Sequence, residues 1–284
     1  METEIVSGIE YWMVRSFDWV AYITLALASV VFVALLYIKA PYGRHIRHGW
    51  GPVLDNRWGW FLMESPAVLV FGSILLCFSE LNITPLILLL IWQIHYCHRA
   101  FVYPWTLKKG KKMPWLILLM AIVFNTSNGY LNAWSIASQA DKYSDLWPTS
   151  PQFLIGVLVF FSGMALNKIS DKKLAALSRS GEGYKIPHGF LYRWISCPNY
   201  LGEIIQWTGW AIATWSLAGW IFAIWTMANL VPRAIAHHRP HLVQVQGTDV
   251  RGDKSSRRTS VGRDEEHRVS RLGARDVGEV LAVR

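Results

Sequence analysis

The sequence predicts an all-α fold: an integral membrane bundle of seven transmembrane helices, with the N-terminus outside and the C-terminus in the cytoplasm. Three observations lead there. Apolar runs of about 20 residues, the length that crosses a hydrocarbon core, recur along most of the chain. Of 284 residues 52% are hydrophobic, with 16 Trp, 11 Tyr and 12 Phe, more aromatic weight than one soluble core takes up. Lys and Arg crowd into alternate connections between the runs.

The runs are Trp19–Ile38, Gly59–Phe78, Pro85–Tyr103, Pro114–Ile136, Phe153–Ile169 and Tyr200–Val231. The last is too long for one span, and Ser216-Leu217-Ala218-Gly219 near its middle reads as a turn between a sixth and a seventh helix. The connections after the first, third and fifth helices hold Lys39, Arg44, Arg47 and Arg57, then Arg99, Lys108, Lys109, Lys111 and Lys112, then Lys168, Lys172, Lys173, Arg179, Lys185 and Arg193. The other side has only Arg15 and Lys142, so the crowded side is cytoplasmic by the positive-inside rule. Glu2, Glu4 and Glu10 stand where a signal peptide has its basic region, so the first helix is expected to remain as an anchor.

The net charge of +9 is accounted for by topology and anionic headgroups, and does not point to nucleic acid. A polyanionic ligand on the cytoplasmic face stays open. Cys77, Cys97 and Cys197 form no C-x-x-C pair, which argues against a zinc site or disulfide framework. The transmembrane domain is expected to span 1–239. Beyond Arg239 a charge-mixed stretch free of Phe, Tyr and Trp, 240–284, reads as an unpacked tail.

Chemistry is sought where polar groups sit at membrane depth, because an ionisable residue there is costly and usually faces a cavity. Glu64, five residues into the second run, is either such a group or a carboxylate reaching the headgroups. Tyr96, with Trp92 at i−4 and Arg99 at i+3 on its helical face, is either a cavity residue or a belt tyrosine. Asn167 with Asp171, and Asn199 with Glu203, each place an amide and a carboxylate one turn apart on one face. Such pairs hydrogen-bond a carboxamide or a ribose, or act as caps and interhelical contacts. The loop from Arg179 to Pro187, with Gly181, Gly183, Tyr184 and Lys185, and the later Arg233, His237 and His238, offer cations for phosphate or serve topology alone. No dinucleotide-fold or Walker glycine motif occurs, so a bound nucleotide would sit inside a helical bundle.

Several motifs together resemble the steroid 5α-reductase family. They are Pro198-Asn199-Tyr200-Leu201-Gly202-Glu203-Ile204-Ile205 with Ala213-Thr214-Trp215-Ser216; His95-Tyr96-x-His98-Arg99-x-Phe101-Val102-Tyr103; Trp60-Phe61-Leu62-x-Glu64-x-Pro66; Asn128-Gly129; Tyr184-x-Ile186-Pro187; and Arg233-Ala234-x-x-His237-His238. Their order holds from about Pro41 to Arg239. The C-terminal half is also similar to other membrane reductases and to isoprenylcysteine methyltransferases, whereas the Glu64 and Tyr96 segments are similar to the steroid branch.

The resemblance implies NADPH-dependent reduction of the C4–C5 double bond of a 3-oxo-Δ4-steroid, with Tyr96 donating to the C3 carbonyl and Glu64 orienting that hydroxyl and holding the ketone. It implies a steroid slot at Trp60, Phe124 and Phe222, and cofactor contacts at Asn167, Asp171, Arg179, Tyr184, Lys185, Asn199, Glu203, Arg233, His237 and Lys111. The implied partners are a steroid or other flat lipid entering from the bilayer and the membrane lipids themselves, around a monomer with no metal. A bacterial member would lie in the inner membrane with its cofactor site facing the cytoplasm. Two departures stand out: Met120 where animal members have an arginine, and Pro240-His241-Leu242-Val243 where the family continues with an aromatic pair. Two readings of other classes remain: a lipid methyltransferase or enoyl reductase on the same C-terminal half, and a non-catalytic lipid carrier.

Overall fold

The fold is given by a computed structural model. It describes residues 2–38, 51–80, 82–107, 110–179 and 189–252, with side chains except at 2–6, 178–179, 190, 193 and 237–252. Seven long helices make up nearly all of it. They are α1 (Glu2–Tyr37), α2 (Asn56–Phe78), α3 (Ile83–Thr106), α4 (Trp115–Ala137), α5 (Pro151–Arg179), α6 (Pro198–Thr214) and α7 (Leu217–Gly252). Among the described residues five helices, α1 to α5, are long and apolar enough to cross a membrane.

Local chemistry sets the ends. Asp55 accepts from the Arg57 amide at the start of α2, and Asn82 from the Thr84 amide at the start of α3, each satisfying a free N–H of a first turn. Inside α2, Pro66 removes one backbone donor. The third helix is α-helical over Ile83–Cys97, widens into a π turn over His98–Val102 and closes with Tyr103–Thr106. Pro104 has no N–H for the Ala100 carbonyl and its ring would crowd it, so the ladder is re-spaced just ahead of the proline.

The sixth and seventh helices are separated by Trp215, in the left-handed region at φ 48°, and by Ser216. The break thus falls at the start of the expected turn, and Gly219 does a different job. A Cβ there would lie 2.7 Å from Thr214 Oγ1 and 3.0 Å from Ala211 Cα, so Gly219 lets α7 leave close beside α6. The connection from α4 to α5 covers this corner. Trp147 Nε1, the Tyr143 hydroxyl and Lys142 Nζ donate to the successive carbonyls of Ala213, Thr214 and Trp215 at 3.0, 2.8 and 2.8 Å. Three orphan carbonyls at the end of α6 are satisfied by one loop. Burial pushes the Tyr143 phenol up and the Lys142 amine down from their ordinary values.

The helices pack most extensively as two pairs, α5 with α6 and α2 with α4. Between them lies the aromatic core of Phe71, Trp92, Tyr96, Trp207, Trp210 and Phe222. The first helix joins through Ala21 against Leu131 and Ile221, and through Tyr130, whose hydroxyl donates to the Met13 carbonyl at 2.7 Å. One departure from an all-α fold is a two-stranded antiparallel ribbon, Val53–Asp55 with Lys112–Pro114. By packing the chain divides into Met1–His241 and Leu242–Arg284. The expected tail starts at Pro240; its backbone is helical to Gly252, and residues 253–284 lie outside those described.

Candidate active site

Around the aromatic core α2 to α7 enclose a cavity of about 920 Å³. Arg99, on the π turn, lines it. Its Nε lies 3.4 Å from Glu64 Oε1 on α2 and its Nη2 3.4 Å from Glu203 Oε1 on α6. Its guanidinium also covers the rings of Trp60 and Tyr103 at 4.9 and 5.5 Å, a planar cation against aromatic faces. One arginine therefore ties together carboxylates from two helices, α2 and α6.

Part of the lining is aromatic. Phe124 of α4 stacks on Trp225 of α7 at 4.4 Å, Phe222 lies 4.2 Å from Trp207, and Trp207 lies 5.6 Å from Tyr96, all between ring centroids. Tyr96 is 3% exposed, and its hydroxyl oxygen accepts from Asn128 Nδ2 at 3.4 Å. The second oxygen of Glu64 accepts from Asn125 Nδ2 at 3.4 Å, and the same amide donates to the Met63 carbonyl at 2.6 Å. Among the described residues Glu64 is thus held by Arg99 and Asn125, and the Tyr96 hydroxyl by Asn128. An asparagine from α4 stands beside the Tyr96 hydroxyl.

Another part of the lining is polar. Asn167 Nδ2 of α5 donates to the Asn199 carbonyl of α6 at 3.0 Å, and Asn199 Nδ2 donates to Asp171 Oδ1 at 3.2 Å. These two helices touch closely enough for such bonds because glycines line their contact. A Cβ on Gly163 or Gly202 would run into backbone atoms of the partner helix. Farther along, Arg233 lines the cavity from α7, and Lys111 from the position just before the ribbon's second strand. Asn229 Oδ1, also in the lining, is buried without a hydrogen-bond partner among the described residues.

The cavity brings together Trp60, Glu64, Tyr96, Lys111, Phe124, Asn167, Asp171, Asn199, Glu203, Phe222 and Arg233, every one singled out from the sequence. Tyr184 and Lys185, and the side chains of Arg179 and His237, lie outside the described residues. Met120 is exposed on α4 and stands apart from the lining. The sequence reading does not single out Asn125, and it names Asn128 only within a motif, without the contacts these asparagines make to Glu64 and Tyr96. Their spacing of three and four residues, Asn125-Asn128-Asn132, marks one polar stripe on an apolar helix, and that was the available signal. It also missed the junction at Arg99, whose partner Glu203 is far away in the chain.

Comparison with known proteins adds an independent finding. The family model for 3-oxo-5-alpha-steroid 4-dehydrogenase matches residues 111–245. Over 224 residues the chain is 40% identical to steroid 5-alpha-reductase DET2 of Arabidopsis thaliana, covering 75% of this chain and 84% of that protein. It is 39% identical over 230 residues to 3-oxo-5-alpha-steroid 4-dehydrogenase 1 of Bos taurus, covering 78% and 88%. The Homo sapiens protein of the same name is 37% identical over 226 residues, covering 78% and 87%.

Proposed function

The chain belongs to the steroid 5-alpha-reductase (3-oxo-5-alpha-steroid 4-dehydrogenase) family of oxidoreductases, and from that premise we propose that it reduces the C4–C5 double bond of a 3-oxo-Δ4-steroid to the 5α-3-oxosteroid with NADPH. The observation that carries the reading is one cavity whose lining combines an aromatic slot, with Tyr96 and Glu64, and a polar lobe of amides and carboxylates, Arg99 bonding to Glu64 of the first and Glu203 of the second. A flat lipid suits the first and a nucleotide the second.

The polar lobe fits the cofactor. Asn167, Asp171, Asn199 and Glu203 offer donors and acceptors in fixed geometry for a carboxamide and ribose hydroxyls, and the orphaned Asn229 Oδ1 accepts from an occupant's N–H or O–H. Lys111 and Arg233 supply cations for phosphate, joined in sequence by Arg179, Lys185, Tyr184 and His237. Bound there, the reduced nicotinamide supplies hydride to C5.

The remaining work falls to the chain. A conjugated enone accepts hydride only as electron density moves onto its carbonyl oxygen, so Tyr96, donating a hydrogen bond at C3, stabilises the developing enolate. Removing one such donor typically costs about 10²-fold or more in rate. Glu64, fixed by Arg99 and Asn125, closes the carbonyl end of the slot and holds the ketone with Tyr96; in its protonated form it adds a second donor. Trp60, Phe124 and Phe222 sandwich the steroid and exclude water. A solvent proton taken up at C4 balances the reaction. All seven helices cross the bilayer in this reading, the protein acts as a monomer, the substrate enters sideways from lipid, and the polar lobe opens to the cytoplasm.

Membranes containing the protein, incubated with NADPH and a panel of Δ4-3-oxo-steroids, are expected to yield products two hydrogens heavier with 5α stereochemistry. Deuteride from labelled cofactor should appear at C5. Absence of any reduced product, with S-adenosylmethionine bound instead, would select the methyltransferase reading.

A further inference from the structure

Four buried groups form an unbroken hydrogen-bonded line behind the Tyr96 hydroxyl. Trp210 Nε1 on α6 donates to Asn132 Oδ1 on α4 at 2.8 Å. Asn132 Nδ2 donates to Asn128 Oδ1 at 3.0 Å and to the Asn128 carbonyl at 3.1 Å. Asn128 Nδ2 donates to the Tyr96 oxygen at 3.4 Å. Trp210 and Asn132 are each 1% exposed, and Asn128 and Tyr96 each 3%.

The direction of this line is set by chemistry. A side-chain amide can be turned over, and its oxygen and nitrogen are hard to tell apart by position alone. Here turning over is blocked at both ends of Asn132. An indole N–H can only donate, so the atom facing Trp210 must be the amide oxygen. A backbone carbonyl can only accept, so the atom facing it must be the NH2 group. With Asn132 fixed, Asn128 must present its oxygen to that NH2 and its own nitrogen to Tyr96. The Tyr96 oxygen is then occupied as an acceptor, and its single proton is left to point elsewhere, toward the cavity.

We propose that Trp210, Asn132 and Asn128 are positioning residues whose fixed hydrogen-bond polarity turns the Tyr96 hydroxyl proton outward, so that Tyr96 meets the substrate as a donor. The inference rests on the reading of Tyr96 as the carbonyl donor. A bond accepted by a hydroxyl oxygen also polarises its O–H, which makes the outward donor stronger in a low-dielectric interior. A tyrosine without this line behind it would be free to turn its proton inward onto any buried acceptor, and the substrate oxygen would meet a lone pair.

The test reads the carbonyl directly. A Δ4-3-ketone bound to the full-length protein with oxidised cofactor cannot turn over, and its near-ultraviolet enone band moves to longer wavelength in proportion to hydrogen-bond donation at the oxygen. Asn128→Asp is nearly isosteric, but an ionised carboxylate is acceptor-only and draws the Tyr96 proton inward. It should abolish most of the band shift and lower kcat by roughly 10²-fold, the scale of one lost oxyanion donor, with the steroid KM within a few-fold of wild type. Trp210→Phe keeps a ring but deletes the donor that sets the line's direction, and should lower kcat and the band shift by a smaller amount with KM unchanged. Tyr96→Phe separates the two ideas. If it leaves band shift and kcat at wild-type values, the reading of Tyr96 itself is wrong. If it removes both while Asn128→Asp and Trp210→Phe, melting like wild type, retain both, the positioning proposal is overturned. Should Asn128→Asp not fold, Trp210→Phe decides alone.

Discussion

Gly202→Ala is the smallest substitution that should part the two halves of the polar lobe. The added methyl would lie 2.5 Å from the Asn167 nitrogen, 2.8 Å from the Gly163 oxygen and 2.9 Å from Asn167 Cα. All three are backbone atoms of α5, so no side chain can swing aside. Restoring ordinary carbon contact distances requires the helices to separate by roughly 1 Å at this level. The Asn167–Asn199 bond at 3.0 Å and the Asn199–Asp171 bond at 3.2 Å would then stretch beyond useful geometry. Overpacking costs about 1–3 kcal/mol, and two weakened hydrogen bonds add about 1 kcal/mol each. Part of that cost appears as lost stability and part as an NADPH affinity lower by about 10-fold, which corresponds to roughly 1.4 kcal/mol. Thermal melting of the detergent-solubilised protein measures the first, and titration of cofactor fluorescence the second. Gly8→Ala is the control: nothing lies within 4 Å of a methyl there, so helix propensity should make it neutral or slightly stabilising. Wild-type melting and affinity for Gly202→Ala would refute the close α5–α6 approach and, with it, the account of how the lobe is held.

Other outcomes follow from the same geometry. Arg99→Met leaves Glu64 and Glu203 without their shared cation and should destabilise by about 3 kcal/mol; adding Glu203→Gln should recover part of that, read as coupling in a double-mutant melting cycle. Tyr143→Phe strips the donor from the Thr214 carbonyl and should cost about 1 kcal/mol of stability while leaving kcat unchanged, since the loop is remote from the cavity lining. Burial holds the Tyr143 phenol neutral. Its folded pKa is raised above the unfolded one, so its stabilisation is complete below the unfolded value and is lost as pH rises through the folded value; the alkaline destabilisation should shrink in Tyr143→Phe. NADPH should be preferred to NADH in kcat/KM, because Lys111 and Arg233, with Arg179 and Lys185, give more cation than a pyrophosphate needs; equal efficiency would count against a dedicated 2′-phosphate contact.

The helices were legible because the bilayer imposes a length, and apolar length is written in the sequence. Their ends were not. The first helix begins near Glu2, well ahead of its apolar run at Trp19, and hydropathy cannot see that extension. The ribbon of Val53–Asp55 with Lys112–Pro114 is three residues a side, too short for a period. At the corner between the last two helices, the residue with positive φ is Trp215, a residue type that no turn rule selects, because three side chains from a distant loop hold its neighbourhood in place. The cavity was legible as residue types at helical spacing: Asn167 with Asp171, and Asn199 with Glu203. The contacts that give those residues their positions were not, since Arg99 meets Glu203, and Trp210 meets Asn132, only once the bundle closes.

What the closed bundle adds is a division of labour between two helix pairs. The α2–α4 pair supplies Glu64, Asn125 and the asparagines behind Tyr96, which in the proposed reaction face the carbonyl oxygen. The α5–α6 pair supplies Asn167, Asp171, Asn199 and Glu203, which in the same proposal hold the cofactor at the far end of the enone. Hydride transfer requires these ends to be held at a fixed separation, because small misplacements between reacting centres are expensive. Arg99 bonds to both pairs, and it stands on the π turn, where re-spacing ahead of Pro104 shifts it out of regular helical register. A lysine there would be a single point charge without the planar fork, unable to address two carboxylates from separate nitrogens while lying flat on Trp60. In the proposed reaction, arginine in that turn is thus the element that joins two separately built halves into one site.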